Sequence, residues 1–321
     1  MEQCDVAVVG LGALGSAAAY HASIKGARVV GFEQFELGHV HGASHDTSRI
    51  VRTSYGSPEF VALARSAYKD WAELERRSGM KMLTITGGVV FLPQKGPTPS
   101  SFNGAILREN TRVEVVTPQP SGGVAIETSQ GVYHARKVII AADAWTNKLL
   151  KPLGVELPIT IMQEQIWGGE KWFYGVLLYG EPAPKAGQDA GRNDMDPEER
   201  TWRPSERLSN ELNGFLDRLI PKRGDELRTV TCQYTITPDR QFIISELEKH
   251  NDVILALGNA HAFKFAPAIG RVTAELALDG KTTDDISKFG FPKTTVLDGS
   301  DITKEMIRTR GVLCRGSTSV N

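Results

Sequence analysis

The stretch Asp5-Val6-Ala7-Val8-Val9-Gly10-Leu11-Gly12-Ala13-Leu14-Gly15 decides the fold of this chain. Residues 6–9 are apolar and three of the four are β-branched valines, which is typical of a buried parallel strand. The glycine loop follows at once, and residues 16–25 predict an alanine-rich helix. Residues 27–32 predict a second strand, which Glu33 closes 18 residues beyond Gly15. The order strand, glycine loop, helix, strand and acid predicts a Rossmann-like βαβ unit.

The glycines of this loop have separate roles in dinucleotide binding. Gly10 permits a tight turn, Gly12 lets the backbone approach a pyrophosphate, and Gly15 lets the helix pack on the strand. The helix N-terminus supplies N–H groups, and Glu33 accepts hydrogen bonds from the adenosine ribose. The alternative is that the glycines only pack a helix, and the loop alone does not distinguish FAD from NAD. The expected cofactor contacts in this region are Gly10, Gly12, Ala13, Leu14, Gly15, Glu33 and Gln34.

Bulk composition excludes several classes of function. A length of 321 residues suits two domains, or one large α/β domain with an insertion. The chain has 37 Lys and Arg against 38 Asp and Glu, so its charge gives no general case for binding nucleic acid or membranes. It has neither a run of about 20 apolar residues nor a basic, signal-like N-terminus. We therefore expect an intracellular, cytoplasmic protein.

The three cysteines lie far apart at Cys4, Cys232 and Cys314. Such spacing gives neither a disulfide framework nor the closely spaced ligands of a metal site. We therefore expect no metal, and each cysteine has to be judged by its own surroundings.

A polar segment after the second predicted strand is more specific. Residues 42–52 read Gly-Ala-Ser-His-Asp-Thr-Ser-Arg-Ile-Val-Arg, with hydroxyl and carboxylate side chains suited to capping a helix. Taken alone, this segment is equally well explained as a capped surface turn with two solvated arginines.

The spacing Gly-x-x-His-x-x-Ser-Arg-x-x-Arg, placed after a dinucleotide loop, resembles the monomeric sarcosine oxidase family of flavin amine oxidases. That family includes N-methyltryptophan, pipecolate and fructosyl amino acid (Amadori-compound) oxidases. Two more blocks fit it in order, Cys-Gln-Tyr-Thr-Ile-Thr-Pro-Asp at residues 232–239 and the run from Val253 to Pro267. Three ordered blocks across most of the chain make chance a poor explanation, and they favour FAD as the cofactor.

The resemblance implies an α/β fold with two domains. A Rossmann-like, glutathione-reductase-like FAD-binding domain is expected to be discontinuous, over residues 1–80, 105–155 and 234–295. A smaller α+β substrate domain built on a mixed sheet is expected over 81–104 and 156–233, with a tail over 296–321. The substrate domain looks shortened near residues 93–101 and 163–174. Residues 181–203 are rich in Pro, Gly, Asp and Arg, and the charge run 194–200 within them predicts a solvated loop.

The resemblance also assigns cofactor contacts outside the glycine loop. Cys232 matches the cysteine that carries FAD through a thioether, whereas from sequence alone a single cysteine is usually a small buried apolar residue. The other expected cofactor contacts are Ser44, Ser48, Arg49, Gly258 and Lys264.

Four side chains match substrate and oxygen positions of the family. Arg52 and Lys264 match the pair that binds the substrate carboxylate, although each alone is equally a surface cation. Lys185 matches a lysine that activates oxygen, and Tyr174 matches a tyrosine of the substrate pocket. Asp189 stands where the family commonly has histidine, so this chain departs from the family in the region that selects the substrate.

The matches imply an FAD-dependent oxidase of secondary or N-alkylated amino acids, of the sarcosine, pipecolate, N-methyl or fructosyl amino acid type. It would oxidise a C–N bond to an imine, reduce O2 to H2O2 and act as a monomer. One alternative is a non-catalytic or degenerate flavin-binding paralogue that has lost part of the substrate domain. Another is a nicotinamide-dependent reductase, which would give Cys232 and Lys264 no role.

Overall fold

The computed structural model describes residues 2–45, 49–53, 55, 57–85, 89–91, 105–163, 172–176, 185–189 and 195–292. The strands in these ranges are β1 Glu2–Val9, β2 Val29–Phe32, β3 Arg49–Val51, β4 Leu83–Ile85, β5 Val89–Phe91, β6 Ile106–Arg108, β7 Val113–Pro118, β8 Val124–Thr128, β9 Gly131–Ile140, β10 Thr160–Gln163, β11 Trp172–Val176, β12 Lys185–Asp189, β13 Gln233–Ile236, β14 Ile243–Leu247 and β15 His250–Leu257. The α-helices are α1 Ala13–Ile24, α2 Pro58–Ser78, α3 Thr146–Leu150, α4 Glu206–Leu219 and α5 Ala266–Asp279.

One large sheet organises the molecule, in the strand order β14-β15-β9-β1-β2-β6. Strands β15, β9, β1, β2 and β6 run parallel, and β14 joins the edge in the antiparallel direction. The hairpin β7–β8 is antiparallel and pairs with the first half of β9, whereas β15 pairs with the second half of β9. These strands confirm the predicted α/β fold with its Rossmann-like unit.

Strand alternation divides the core between the two faces of this sheet. Val6 and Val8 of β1 belong to one buried cluster, and Ala7 and Val9 belong to the other. This explains the uninterrupted apolar run in the sequence, because a central parallel strand is buried on both faces.

Helices α1 and α5 pack closely together on one face. A Cβ placed on Gly270 of α5 would lie 2.5 Å from the Cβ of Ala17, so only glycine allows this approach. The alanine-rich sequence of α1 also allows this approach, because the small side chains of Ala18 and Ala19 are fully buried. The close approach brings the beginning of the chain against its last described helix.

The strands outside the large sheet form small antiparallel sheets. These are β3–β5–β4, β10–β13 and β11–β12. The division into a discontinuous FAD-binding domain and a substrate domain stays a prediction. The shortened region near residues 93–101, most of the one at 163–174, and the tail lie outside the described residues. In the described part of the chain, no helix has the length and apolar character needed to cross a bilayer.

The prediction of a solvated loop over the charge run 194–200 is wrong at its last residue. Arg200 is only 5% exposed, and its guanidinium donates to the carbonyls of Thr231 at 2.7 Å and of His41 at 2.9 Å. Both acceptors are distant in sequence, so the local charge run gave no sign of this burial.

Candidate cofactor and substrate site

A cavity of about 990 Å³ opens at the carboxyl edge of the large sheet. Its wall includes the residues that directly follow four parallel strands, namely Gly10, Glu33, Ala141 and Gly258. Ligands of open α/β sheets bind at this edge, because the strand ends and the helix N-termini meet there. Of the predicted cofactor contacts, those that line the cavity are Gly10, Gly12, Ala13, Leu14, Glu33, Gln34, Ser44 and Gly258.

The glycine loop packs so closely on neighbouring backbone that Gly10 and Gly15 leave no room for side chains. Gly10 has φ +87°, and a Cβ there would lie 2.6 Å from the carbonyl oxygen of Ala141. A Cβ on Gly15 would lie 1.8 Å from the carbonyl oxygen of Gly10. The loop therefore exposes bare backbone to the cavity, as a pyrophosphate-binding turn requires.

The N-terminus of α1 points its N–H groups at this cavity. The first turn of α1 contains no acidic residue. The backbone N–H of Ala13 donates to the hydroxyl of Ser44 at 2.9 Å, so Ser44 lies where the sequence placed it, beside the glycine loop. A helix end of this kind favours an anion through its N–H groups and its dipole.

Glu33 presents a buried carboxylate at the end of β2. It is 6% exposed, and its Oε2 accepts a hydrogen bond from the backbone N–H of Leu11 at 2.9 Å. Its Oε1 lies 3.4 Å from Nε2 of His39. Burial raises the pKa of Glu33, but the hydrogen bonds from His39 and Leu11 outweigh it and lower the pKa below 4.5. The carboxylate is therefore held charged, ready to accept from ribose hydroxyls.

The opposite side of the cavity wall contains unsatisfied polar atoms. The hydroxyl of Thr235 is buried and makes no hydrogen bond, and Thr235 lines the cavity. The side-chain oxygen of Asn259 is likewise buried without a partner, and Asn259 lies between the cavity-lining Gly258 and Ala260 without lining the cavity itself. Buried polar atoms of this kind are costly unless a ligand satisfies them. The glycine loop, the helix end, Glu33 and these atoms together fit a dinucleotide such as FAD.

Three cations, Arg49, Arg52 and Lys264, lie close enough to influence one another, although none of them lines the cavity itself. Lys264 lies in a short 3-10 helix that precedes α5, is 9% exposed, and donates from Nζ to the carbonyl of His261 at 3.0 Å. Burial, and then the charges of Arg52 and Arg49, lower the pKa of Lys264 to about 7. Arg49 lies over the Phe263 ring at 5.2 Å. The structure thus brings together three of the predicted site residues as a cluster of positive charge.

Side chains of helix α2 donate hydrogen bonds to the backbone that carries this cation cluster. The indole N–H of Trp71 donates to the carbonyl of Lys264 at 3.0 Å, and its ring stacks on Phe263 at 6.5 Å. One turn earlier, the hydroxyl of Tyr68 donates to the carbonyl of Val51 at 3.2 Å, next to Arg52. The backbone that carries both predicted carboxylate-binding cations is therefore tied to the same helix.

Cys232 is half-buried, and its Sγ lies 3.7 Å from Nε2 of His45. His45 lines the cavity, as does Thr231. An imidazole beside a thiol stabilises the thiolate and makes the sulfur more nucleophilic. His45 was not among the predicted site residues, although it is the histidine of the motif in residues 42–52, so the signal was present in the sequence.

The remaining predicted residues are not brought together in the same way. Lys185 lies in β12, whose partner strand β11 contains Tyr174, and the backbone of Tyr174 pairs with that of Gly187. Lys185 does not line the cavity. Ser48 lies outside the described residues. The sequence also missed Arg200 and Trp202, which stack at 4.0 Å and line the cavity.

Comparison with protein families matches this chain to the family described as FAD dependent oxidoreductase, over residues 5–100 and 101–276. The chain belongs to that family. This FAD dependent oxidoreductase is 29% identical to monomeric sarcosine oxidase of Bacillus sp. strain B-0618, over 89% of this chain and 95% of the relative. It is 26% identical to N-methyl-L-tryptophan oxidase of Escherichia coli O81, over 89% and 98%.

Solved structures agree with this placement in the FAD dependent oxidoreductase fold. The open form of NikD, an unusual amino acid oxidase, has a TM-score of 0.80 at 22% identity and covers 91% of this chain and 98% of its own. Glycine oxidase from Geobacillus kaustophilus has a TM-score of 0.71 at 18% identity, over 91% and 99%. The alignment to the Bacillus relative spans 373 positions, more than the 321 residues here, so that relative has segments this chain lacks.

Proposed function

We propose that this protein is an FAD-dependent oxidase of secondary or N-alkylated amino acids, with O2 as electron acceptor. The observation that carries the proposal is the cation cluster of Arg49, Arg52 and Lys264 beside the cofactor cavity. Similarity to sarcosine and N-methyl-L-tryptophan oxidases along most of the chain supports it. A small amino acid that presents its carboxylate is the ligand such a cluster would select.

Each residue of the cluster has a distinct task in this proposal. The guanidinium of Arg52 binds the substrate carboxylate through two parallel hydrogen bonds, and Lys264 adds a point charge. Substrate binding also restores the proton of Lys264, because an adjacent carboxylate opposes the burial that lowers its pKa. These residues orient the substrate, while bound FAD supplies the two-electron oxidation of the C–N bond and passes the electrons to O2.

Lys185 and Tyr174 keep their expected roles as part of this proposal. Lys185 would stabilise negative charge that develops on oxygen, and Tyr174 would contact the substrate. Their common two-stranded sheet, with Val176 paired to Lys185, supports a joint contribution from one structural unit.

We further propose that FAD is attached covalently through Cys232. The contact between its sulfur and His45 supports this, since a thiolate is the nucleophile in bond formation to the flavin. Acid precipitation of the purified protein tests it: yellow flavin should remain with the pellet, and Cys232→Ala should release it. Cys4→Ala is the matched control, because Cys4 is buried in β1 and should leave the linkage intact.

The proposed reaction is tested with sarcosine, pipecolate, N-methyltryptophan and fructosyl amino acids. Anaerobic mixing with the right substrate should bleach the flavin absorbance, and admission of air should restore it with release of peroxide. A yellow protein that none of these amines bleaches would favour the non-catalytic flavin-binding paralogue, which the missing segments motivate.

A further inference from the structure

Asp143 is an acidic residue built into the cofactor wall. It follows β9 at the carboxyl edge of the large sheet and begins a 3-10 helix. Its φ is 43°, in the left-handed region that few residues other than glycine adopt. The two residues before it, Ala141 and Ala142, form the surface against which Gly10 packs. Asp143 therefore extends the wall that supports the glycine loop.

The side chain of Asp143 faces the cavity. The residue is partly exposed, and it lines the cavity at the centre of the fold. Burial raises the pKa of Asp143 to about 6, and the nearby hydroxyl of Thr235 offsets part of that rise. Thr235 lines the same cavity and makes no hydrogen bond of normal geometry. A carboxyl and a hydroxyl thus stand side by side in the wall of the cavity.

No cation of the described residues compensates the Asp143 carboxyl. On α3, which packs against its turn, Lys148 is paired with Asp196 and Glu198 at 3.2 Å each. On β13, which also packs there, Tyr234 lines the cavity. Across the cavity stands the anionic Glu33. Arg200, Arg228 and Lys81 also line the cavity. None of them is among the groups that shift the pKa of Asp143, which are its buried surroundings and the hydroxyl of Thr235.

A dinucleotide changes the electrostatics of this wall. Its pyrophosphate sits at the glycine loop and brings negative charge into the space that Asp143 faces. Two anions in one poorly hydrated cavity repel each other, and the carboxyl relieves the repulsion by taking a proton from solvent. The neutral carboxylic acid has one O–H to donate, which a carboxylate lacks.

We propose that Asp143 is a cofactor-binding residue that enters the FAD complex as a neutral carboxylic acid and donates a hydrogen bond to the cofactor. FAD binding is then coupled to the uptake of one proton. This inference rests on the FAD cofactor of the proposed function and not on its amine substrate. It adds a cofactor contact on a residue that the sequence motifs do not include.

The proton coupling has a measurable size. Above pH 6 the Asp143 carboxyl of the free protein is ionised and must take up a proton when FAD binds. The FAD dissociation constant therefore rises about tenfold per pH unit, until the carboxyl of the complex itself ionises. Asp143→Asn carries a permanent amide donor and tolerates the left-handed backbone. The FAD dissociation constant of the protein with Asp143, divided by that of Asp143→Asn, should therefore rise about tenfold per pH unit above pH 6. The ratio also cancels the titration of Lys264, which both proteins share.

The experiment uses Cys232→Ala as the background, so that FAD can be removed and rebound. FAD is titrated into this protein and into its Asp143→Asn, Asp143→Gly and Asp217→Asn derivatives between pH 5.5 and 8.5, with protein fluorescence as the readout. Asp143→Gly fits the backbone but has neither a donor nor a titrating group, so it should bind FAD more weakly than Asp143→Asn by a factor that does not change with pH. Asp217 is exposed on α4, and its variant should match the background.

Calorimetry in two buffers with different ionisation enthalpies counts the protons taken up at pH 7.5. About one proton is expected for the background and none for Asp143→Asn. A constant ratio of dissociation constants from pH 6 to 8, or equal proton counts, would overturn the inference. If FAD binding is coupled to a proton but the protein oxidises none of the amines, the inference on Asp143 is supported and only the proposed reaction is refuted. A protein that binds no FAD at any pH would overturn both.

Discussion

Replacing the buried cation Lys264 by Met should make the flavin-free protein more stable at low pH. The pKa of this lysine falls from 10.5 to about 7 because burial and two neighbouring arginines disfavour its charge. That fall corresponds to about 5 kcal/mol, at about 1.4 kcal/mol for each factor of ten in proton affinity. Loss of the hydrogen bond to His261 costs roughly 2 kcal/mol. The net gain at pH 6 is about 3 kcal/mol.

The sign of this effect reverses with pH. Between pH 7 and about 10.5 the unfolded chain binds one proton more than the folded chain, so the wild-type protein gains stability as pH rises through this window. Lys264→Met cannot titrate and gains nothing there. Its advantage should shrink to near zero at pH 9 and become a deficit above pH 10.

Thermal unfolding of the flavin-free Cys232→Ala protein, with and without Lys264→Met, measures the difference. We expect a Tm about 6 °C higher for the variant at pH 6 and no difference at pH 9. Lys151→Met, at an exposed position, is the control, and its Tm difference from the background should be the same at pH 6 and pH 9. Equal Tm differences at pH 6 and pH 9 would refute the argument, because they would show that the folded protein does not disfavour the charge.

Three further predictions test the architecture of the site. Gly15→Ala places a Cβ 1.8 Å from a backbone oxygen and should abolish FAD content, measured by absorbance, whereas Gly26→Ala meets open space and should lose only about 1 kcal/mol of stability. Trp71→Phe removes the hydrogen bond to the carbonyl of the buried lysine and should weaken acetate binding about tenfold in flavin difference spectra, with Tyr133→Phe unchanged. Arg271→Met leaves three partly buried carboxylates unpaired and should lower the unfolding free energy by about 3 kcal/mol in urea.

Each of these has a contrary outcome. Normal flavin content in Gly15→Ala would mean that the loop can move away from the helix. Unchanged acetate affinity in Trp71→Phe would show that α2 does not position the lysine. An Arg271→Met protein as stable as wild type would mean that solvent, and not the ion pairs, satisfies the carboxylates.

The sequence predicted the parts of this site that depend on local order. The strand, glycine loop, helix and terminal acid follow one another within 33 residues, so their periodicity and turn chemistry are visible in the chain. Cys232 and Lys264 were identified only by resemblance, because a single cysteine or lysine has no local pattern that separates a site from a surface.

The parts that the sequence did not predict depend on distant partners. His45 meets Cys232 across 187 positions, and Trp71 meets the carbonyl of Lys264 across 193. Arg200 was predicted to be solvated, and it is buried because acceptors 31 and 159 positions away surround its guanidinium. No periodicity encodes such pairings, since they arise when separate elements pack.

The contact between Gly270 and Ala17 has a consequence for synthesis of the protein. The dinucleotide loop leaves the ribosome long before α5, the helix that buries its flank and the last described helix to emerge. Strand β15, which extends the same sheet, is also late. A nascent chain stopped before residue 279 therefore holds a half-built nucleotide pocket with an exposed alanine face. FAD can therefore bind only late in translation. Truncated products should lack flavin, and so be colourless, and should be prone to aggregation.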